Sequence, residues 1–243
     1  MRPVEKFGIK HYSSTTIEIK SGEVRDSDWA SDNRVDEFSR STSDVDGDGI
    51  LNKSITLGMK FRMFDLENHY VTFLIGKDNS EINLVMTGGM QDIWRPELIG
   101  MASTDFGAGD EIVGLNSTYD ADFDSISLGF QTDHFFSWGI ISLRYQHFDI
   151  DYEAKANWNL RQDFSHPVSF IHESEGNGFD IELGYTYVLS KHWDMFSKYH
   201  YRRWSIGSGY DHTFFSNGQS SIIRFNEAEW DSESYSFGIR YYL

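Results

Sequence analysis

The feature that most constrains the fold is a strict two-residue alternation at the end of the chain. From Tyr235 to Leu243, Tyr235, Phe237, Ile239, Tyr241 and Leu243 fall on one face of a strand, and Ser236, Gly238, Arg240 and Tyr242 on the other. The pattern recurs upstream. Ile55, Leu57, Met59, Phe61 and Met63 alternate with Ser54, Thr56, Gly58, Lys60 and Arg62. Ile126, Leu128 and Phe130 alternate with Ser125, Ser127 and Gly129, and Phe179 to Leu189 alternate with Asp180, Glu182, Gly184 and Thr186. Charges on the inner face of so many strands would disrupt a soluble core. They fit a barrel with lipid outside and a polar, water-filled lumen inside. The alternation predicts that Phe61, Ile181, Leu183, Phe237 and Ile239 face lipid, while Lys60, Arg62, Glu182 and Arg240 face inward.

The reading is therefore all-β: an antiparallel transmembrane β-barrel, residues 1–243 as a single outer-membrane domain. Eight strands are expected, near 6–22, 52–66, 68–87, 112–131, 135–155, 177–190, 193–208 and 230–243. Short connections at Asp65–Asn68, Thr132–His134 and Ser190–His192 read as periplasmic turns. Residues 23–51, 88–111, 156–176 and 209–229 read as long, polar extracellular loops. Composition agrees. Apolar residues are only 39% of the chain while aromatics reach 16%, as a polar lumen and aromatic rims require. No apolar run is long enough for a transmembrane helix. Met1–Lys20 lacks the apolar core of a secretory signal, so the sequence reads as a mature form or as one given from a late start. With no cysteine, disulfides and thiolate zinc sites are excluded. A net charge of −17 argues against nucleic acid and favours cationic partners, beside a plain solubility role for acidic loops.

The chemistry sits in the long loops. The first carries Asp26-Ser27-Asp28-Trp29 and then Asp44-Val45-Asp46-Gly47-Asp48-Gly49. Asp44, Asp46 and Asp48 have the spacing that opens an EF-hand calcium loop, but the closing glutamate position is Ile55 and the flanks read as strands. Calcium on these three carboxylates stands beside a solvated Asp/Gly turn as a reading. The third loop holds Asp163 and His166, with His172 beyond, and the fourth holds Tyr210-Asp211-His212. Histidine beside a carboxylate at a barrel mouth can activate water or bind metal; scattered polar histidines are the plainer reading. No Ser-His-Asp spacing, phosphate-binding glycine loop or metalloprotease motif is present.

These residues resemble the omptins, outer-membrane proteases built as ten-stranded barrels. The resemblance runs through Asp26-Ser27-Asp28-Trp29, Phe73-Leu74-Ile75-Gly76 to Thr87-Gly88-Gly89, Glu182-Leu183-Gly184-Tyr185, Tyr210-Asp211-His212 and the closing strand. It implies that paired aspartates face an Asp-His pair across the mouth and hold the water that attacks a peptide. Three departures stand out. The positions that would carry the Asp-x-His dyad read Lys155 and Asn157. Those of the lipopolysaccharide site read Lys77, Asn79 and Glu81, and the first two omptin strands have no counterpart. The expected function is an endopeptidase for basic peptides with Asp26, Asp28, Asp163 and His166 as its catalytic groups. The alternative is a structural or adhesin-like barrel that has lost the dyad. A small-solute porin is disfavoured by bulky inner Lys60, Arg62, Glu182 and Arg240. The expected place is the bacterial outer membrane, with its lipid as partner.

Overall fold

A computed structural model describes residues 7–18, 21–31, 34–62, 68–102 and 106–241. The strands are β1 (Phe7–Glu18), β2 (Ser21–Ser31), β3 (Val35–Arg62), β4 (His69–Trp94), β5 (Glu111–Ile112), β6 (Ser117–Phe136), β7 (Gly139–Asn157), β8 (Phe170–Val188), β9 (Trp193–Ile206), β10 (Gly209–Phe214), β11 (Ser220–Phe225) and β12 (Ala228–Tyr241). All lie in one antiparallel sheet. β1 and β2 pair successively with the two halves of β3, so they behave as one long strand. β9 and β10 both pair with β8, and their partners are β12 and β11, so each of these couples is likewise one interrupted strand. Eight long strands result, as the alternation requires.

Orientation follows the alternation. Leu183 is 51% exposed, Phe237 76% and Ile239 62%; Phe61 is also exposed, and Ile181 is half-buried on the same face as Leu183. On the other face Glu182 pairs with Lys198 at 2.9 Å and Arg240 with the buried Asp194 at 2.8 Å. The Lys60 ammonium lies 4.4 Å from the ring centre of Tyr70. Arg62 follows in the same register, two residues along β3.

Two expectations are corrected. Much of the first and fourth long "loops" is strand: β2 and the first half of β3 pair across 21–31 and 35–46, and β10 and β11 make a hairpin. β4 likewise continues to Trp94. Only about 9–11 residues are needed to cross the bilayer, whereas β3 has 28 and β4 has 26. The part above the membrane needs no apolar face, so hydrophobic alternation fails to mark it. Thr132-Asp133-His134 is also strand, not turn; the β6–β7 connection is Ser137-Trp138. Its polarity has another cause: Asp133 points inward and accepts a hydrogen bond from Gln131 at 2.6 Å. The turn expected at 65–68 lies outside the described residues apart from Asn68.

The lumen is packed rather than open. At membrane level Arg202 donates two hydrogen bonds to Asp180, both 2.7 Å, and His200 approaches the same carboxylate at 3.2 Å. Gln146 donates to Ser127, and Ser127 to Asp78, each at 3.0 Å. A Cβ on Gly76 would stand 2.5 Å from Ser127 Oγ and 2.9 Å from Thr56 Oγ1, so this network requires glycine there. Above it lies an aromatic core of Phe123, Phe148, Tyr152, Trp204 and Phe225 with Ile82, Ile150 and Ile206. Buried charges persist only when paired and hydrogen-bonded, and here they are.

Beyond the membrane belt the strands shift phase. β3 changes register against β4 at Gly47/Gly49, Thr42/Asp44 and Arg40/Ser41, and β2 against β3 at Asp28/Trp29. An ion pair between Arg34, beside the β2–β3 turn, and Glu227, between β11 and β12, brings the two ends of the sheet together. Among the described residues β1 and β12 are not themselves hydrogen-bonded.

Leu183→Arg is expected to destabilise the folded barrel by about 2–4 kcal/mol, since Leu183 faces the hydrocarbon. Equilibrium refolding into lipid vesicles, followed by tryptophan fluorescence, measures the loss.

Candidate active site

The site assembles on the strand extensions above the belt. Asp26 and Asp28 are two residues apart on β2 and share a face; their partners across the ladder are Ser41 and Ser39. The Ser39 side chain hydrogen-bonds to the Asp28 carboxylate. Asp26 is exposed to solvent at the mouth, with protein crowded around its carboxyl. Loss of bulk water, then the nearby Asp28 charge, raise its pKa from 3.8 to about 7. Burial also raises Asp28, while Ser39 and Arg161 work the other way and favour its anion.

The second half of the site comes from β8 and β10. His172 and Asp211 are directly opposed across that ladder. The His172 Nε2 lies 3.6 Å from Asp211 Oδ2, with both side chains largely buried. The Tyr119 hydroxyl meets His172 Nδ1 at 2.8 Å and the Tyr152 hydroxyl at 2.5 Å. Phe225 stacks on the imidazole with ring centres 4.6 Å apart. Thr213 Oγ1 donates to Asp211 Oδ1 at 3.1 Å. A tyrosine pair, a histidine and a carboxylate thus form one continuous chain. This chain and the aspartate pair share an electrostatic neighbourhood. Asp211 acts on Asp28, and Asp26 and Asp211 both help push the Tyr119 phenol well above its ordinary value, after burial and Tyr152.

Asp163 and His166 are placed differently. Arg161 forks onto Asp163 at 3.0 and 2.8 Å, and the side-chain hydrogen bond holds that exposed carboxyl below the usual carboxylate range. His166 is exposed, its Nδ1 2.7 Å from Asn157 Oδ1. Each is engaged locally, whereas Asp211, the cross-strand partner of His172, acts on Asp28. Arg161 links the two regions, since its charge acts on Asp28. Lys155 lies on the outer wall, paired with Glu153 at 2.9 Å. In sequence, His172 is visible only as a further histidine beyond Asp163 and His166. Its inward register with Phe170 and the pairing with Asp211 are set by strand register between segments 39 positions apart, which no local motif encodes.

The calcium reading meets an extended strand. Asp44 and Asp46 lie within β3, laddered to β2 on one side and β4 on the other, so their backbone is not the curled loop an EF-hand needs. Among the described residues no group of three histidines or carboxylates could hold a metal; the side chains of Asp46 and Asp48 lie outside them.

Comparison with known proteins places the chain. Residues 9–243 match the family described as Protochlamydia outer membrane protein, Pom. The chain belongs to the Pom family. No curated protein matches it. Among solved structures, this Pom protein is similar to the outer membrane protease OmpT from Escherichia coli, at a TM-score of 0.69 and 13% identity over 97% of this chain and 78% of that one. The Pom chain therefore has the barrel fold of an integral protein of the bacterial outer membrane, and what it shares with OmpT is that fold.

The raised Asp26 pKa gives a stability signature. A carboxyl whose folded pKa exceeds its unfolded value contributes stability that is full below about 4 and lost as pH rises through about 7. Asp26→Asn should therefore raise the apparent Tm at pH ~8.5 and leave it unchanged at pH ~3.5. Thermal unfolding in detergent at the two pH values checks the sign.

Proposed function

We propose that this outer-membrane barrel is an endopeptidase for cationic peptides, working through Asp26, Asp28, His172 and Asp211. The observation that carries the reading is the buried His172–Asp211 pair lying in the same field as the Asp26/Asp28 pair. Two carboxylates whose environments separate their proton affinities divide acid and base roles between them. Asp26 holds its proton near neutrality; burial raises Asp28 too, but there Ser39 and Arg161 oppose the rise and favour the anion. Asp28 would polarise an attacking water, with Asp26 as proton donor to the substrate oxygen or leaving amine. His172, oriented by Asp211 and Tyr119, would take up and return protons on the opposite side. The acidic chain, with its net charge of −17, would draw basic peptides to the mouth. The shared fold with an outer membrane protease adds support at the level of architecture.

One observation favours a non-proteolytic barrel of structural or adhesive role. Both nitrogens of His172 already face partners, Tyr119 at 2.8 Å and Asp211 at 3.6 Å, so the ring must release one contact to act as a base.

The test is hydrolysis of a fluorogenic peptide with two adjacent arginines by refolded protein, with and without lipopolysaccharide. Asp28→Ala and His172→Ala should each lower the rate by on the order of 10²-fold or more, whereas His166→Ala should leave it near wild type. Activity should fall as pH rises through about 7, where Asp26 loses its proton. Cleavage that survives both Asp28→Ala and His172→Ala removes the assignment, and no cleavage by the wild type favours the non-catalytic barrel.

A further inference from the structure

At the opposite, short-turn end of the barrel, His69 opens β4 and His134 lies near the end of β6. They are direct cross-strand partners. Both sit half-buried on the outer face, in register with the lipid-facing Phe73 and Phe130. Their Nδ1 atoms converge to 3.3 Å. We infer that His69 and His134 form a two-histidine site for a divalent transition-metal ion, zinc or copper, at the periplasmic rim.

The geometry fits such an ion. Two imidazole nitrogens bound to tetrahedral zinc at ~2.0–2.1 Å must stand about 3.3–3.4 Å apart, and the observed separation is 3.3 Å. Coordination through Nδ1 also needs the other nitrogen to carry the proton. His69 Nε2 is 2.8 Å from Thr132 Oγ1, an acceptor for that proton, so that an ion can take the place of the Nδ1–Nδ1 hydrogen bond between the two rings. An oriented second nitrogen of this kind typifies metal-ligating histidines. The His134 ring is held in turn by Phe136, ring centres 4.5 Å apart, and Phe136 stacks on Trp138 at 4.5 Å and 5°. Both ligands rise from one rigid ladder that continues through the Phe135 N–H donated to the Asn68 carbonyl at 2.8 Å. Chelation therefore costs little ordering. Two protein nitrogens leave two positions of a tetrahedral ion for water. Imidazole donors suit copper and zinc, and the divalent series ranks copper above zinc.

The experiment is calorimetric titration of the full-length refolded barrel in detergent with zinc chloride. The expected result is one ion per barrel, with affinity lowered about 10-fold by Thr132→Val, more by His69→Ala or His134→Ala, and unchanged by His147→Ala elsewhere on the outer wall. Cobalt(II) added to the wild type gives a readout independent of any variant's folding, as the intense visible bands of a tetrahedral ion. Absence of zinc heat in the wild type, zinc affinity that survives the His69→Ala/His134→Ala double variant, or a purely octahedral cobalt spectrum would each overturn the site.

Discussion

Everything in this molecule depends on satisfying backbone hydrogen bonds where there is no water. Within hydrocarbon each strand must find its partners in its neighbours, and the ladders from β3 through β4, β6, β7 and β8 to β9 and β12 supply them. Once the strands are committed to that ladder, alternation sends every second side chain to lipid and every other one to the lumen. Ile55, Leu57, Met59, Phe73, Ile75, Leu128 and Leu183 make the outer belt. The inner residues then have to solve a second problem, because a narrow lumen removes them from bulk water too.

The solution is pairing. Asp180 is held by Arg202 and His200, Asp194 by Arg240, and Asp78 by Ser127. These contacts make the lower lumen a solid polar plug, and the aromatic layer around Trp204 seals it from above. A plugged barrel is a poor conduit for solutes but a stiff base for whatever stands above it. The candidate catalytic groups profit from that stiffness. Tyr152 belongs to the aromatic layer and also ends the hydrogen-bonded chain that runs through Tyr119 to His172. Its own ionisation is pushed up to about 12 by burial, so it stays a neutral link.

How much of this was legible in the chain differs by height above the membrane. In the belt, the alternation of Phe179 to Leu189 places Glu182 and Leu183 on opposite faces without any further information. Higher up, Ser39 to Ser43 and Gly209 to Thr213 read as loops because above the bilayer no apolar outer face is needed and the inner face is polar, although the backbone is still laddered. The Asp26/Asp28 pair was visible as a motif. The histidine proposed to work with it was not, because motif reasoning favours residues close in sequence, such as Asp163 and His166. The Arg161 fork and the Asn157 contact hold those two locally. Cross-strand neighbours such as His172 and Asp211, or His69 and His134, are created by register alone.

The register shifts in β2 and β3 carry a consequence for how such a barrel can change over evolutionary time. In a continuous strand, adding or losing one residue reverses the facing of everything beyond it. A bulge absorbs one residue locally. With shifts at Gly47/Gly49, Thr42/Asp44 and Arg40/Ser41, the upper wall is mechanically out of step with the lower one. Insertions and deletions there can rotate mouth residues between inside and outside while the lipid-facing set remains untouched. The barrel thus has a root whose length the bilayer sets and a separately adjustable crown, whose polar groups can be redistributed among strands with no loss of membrane stability.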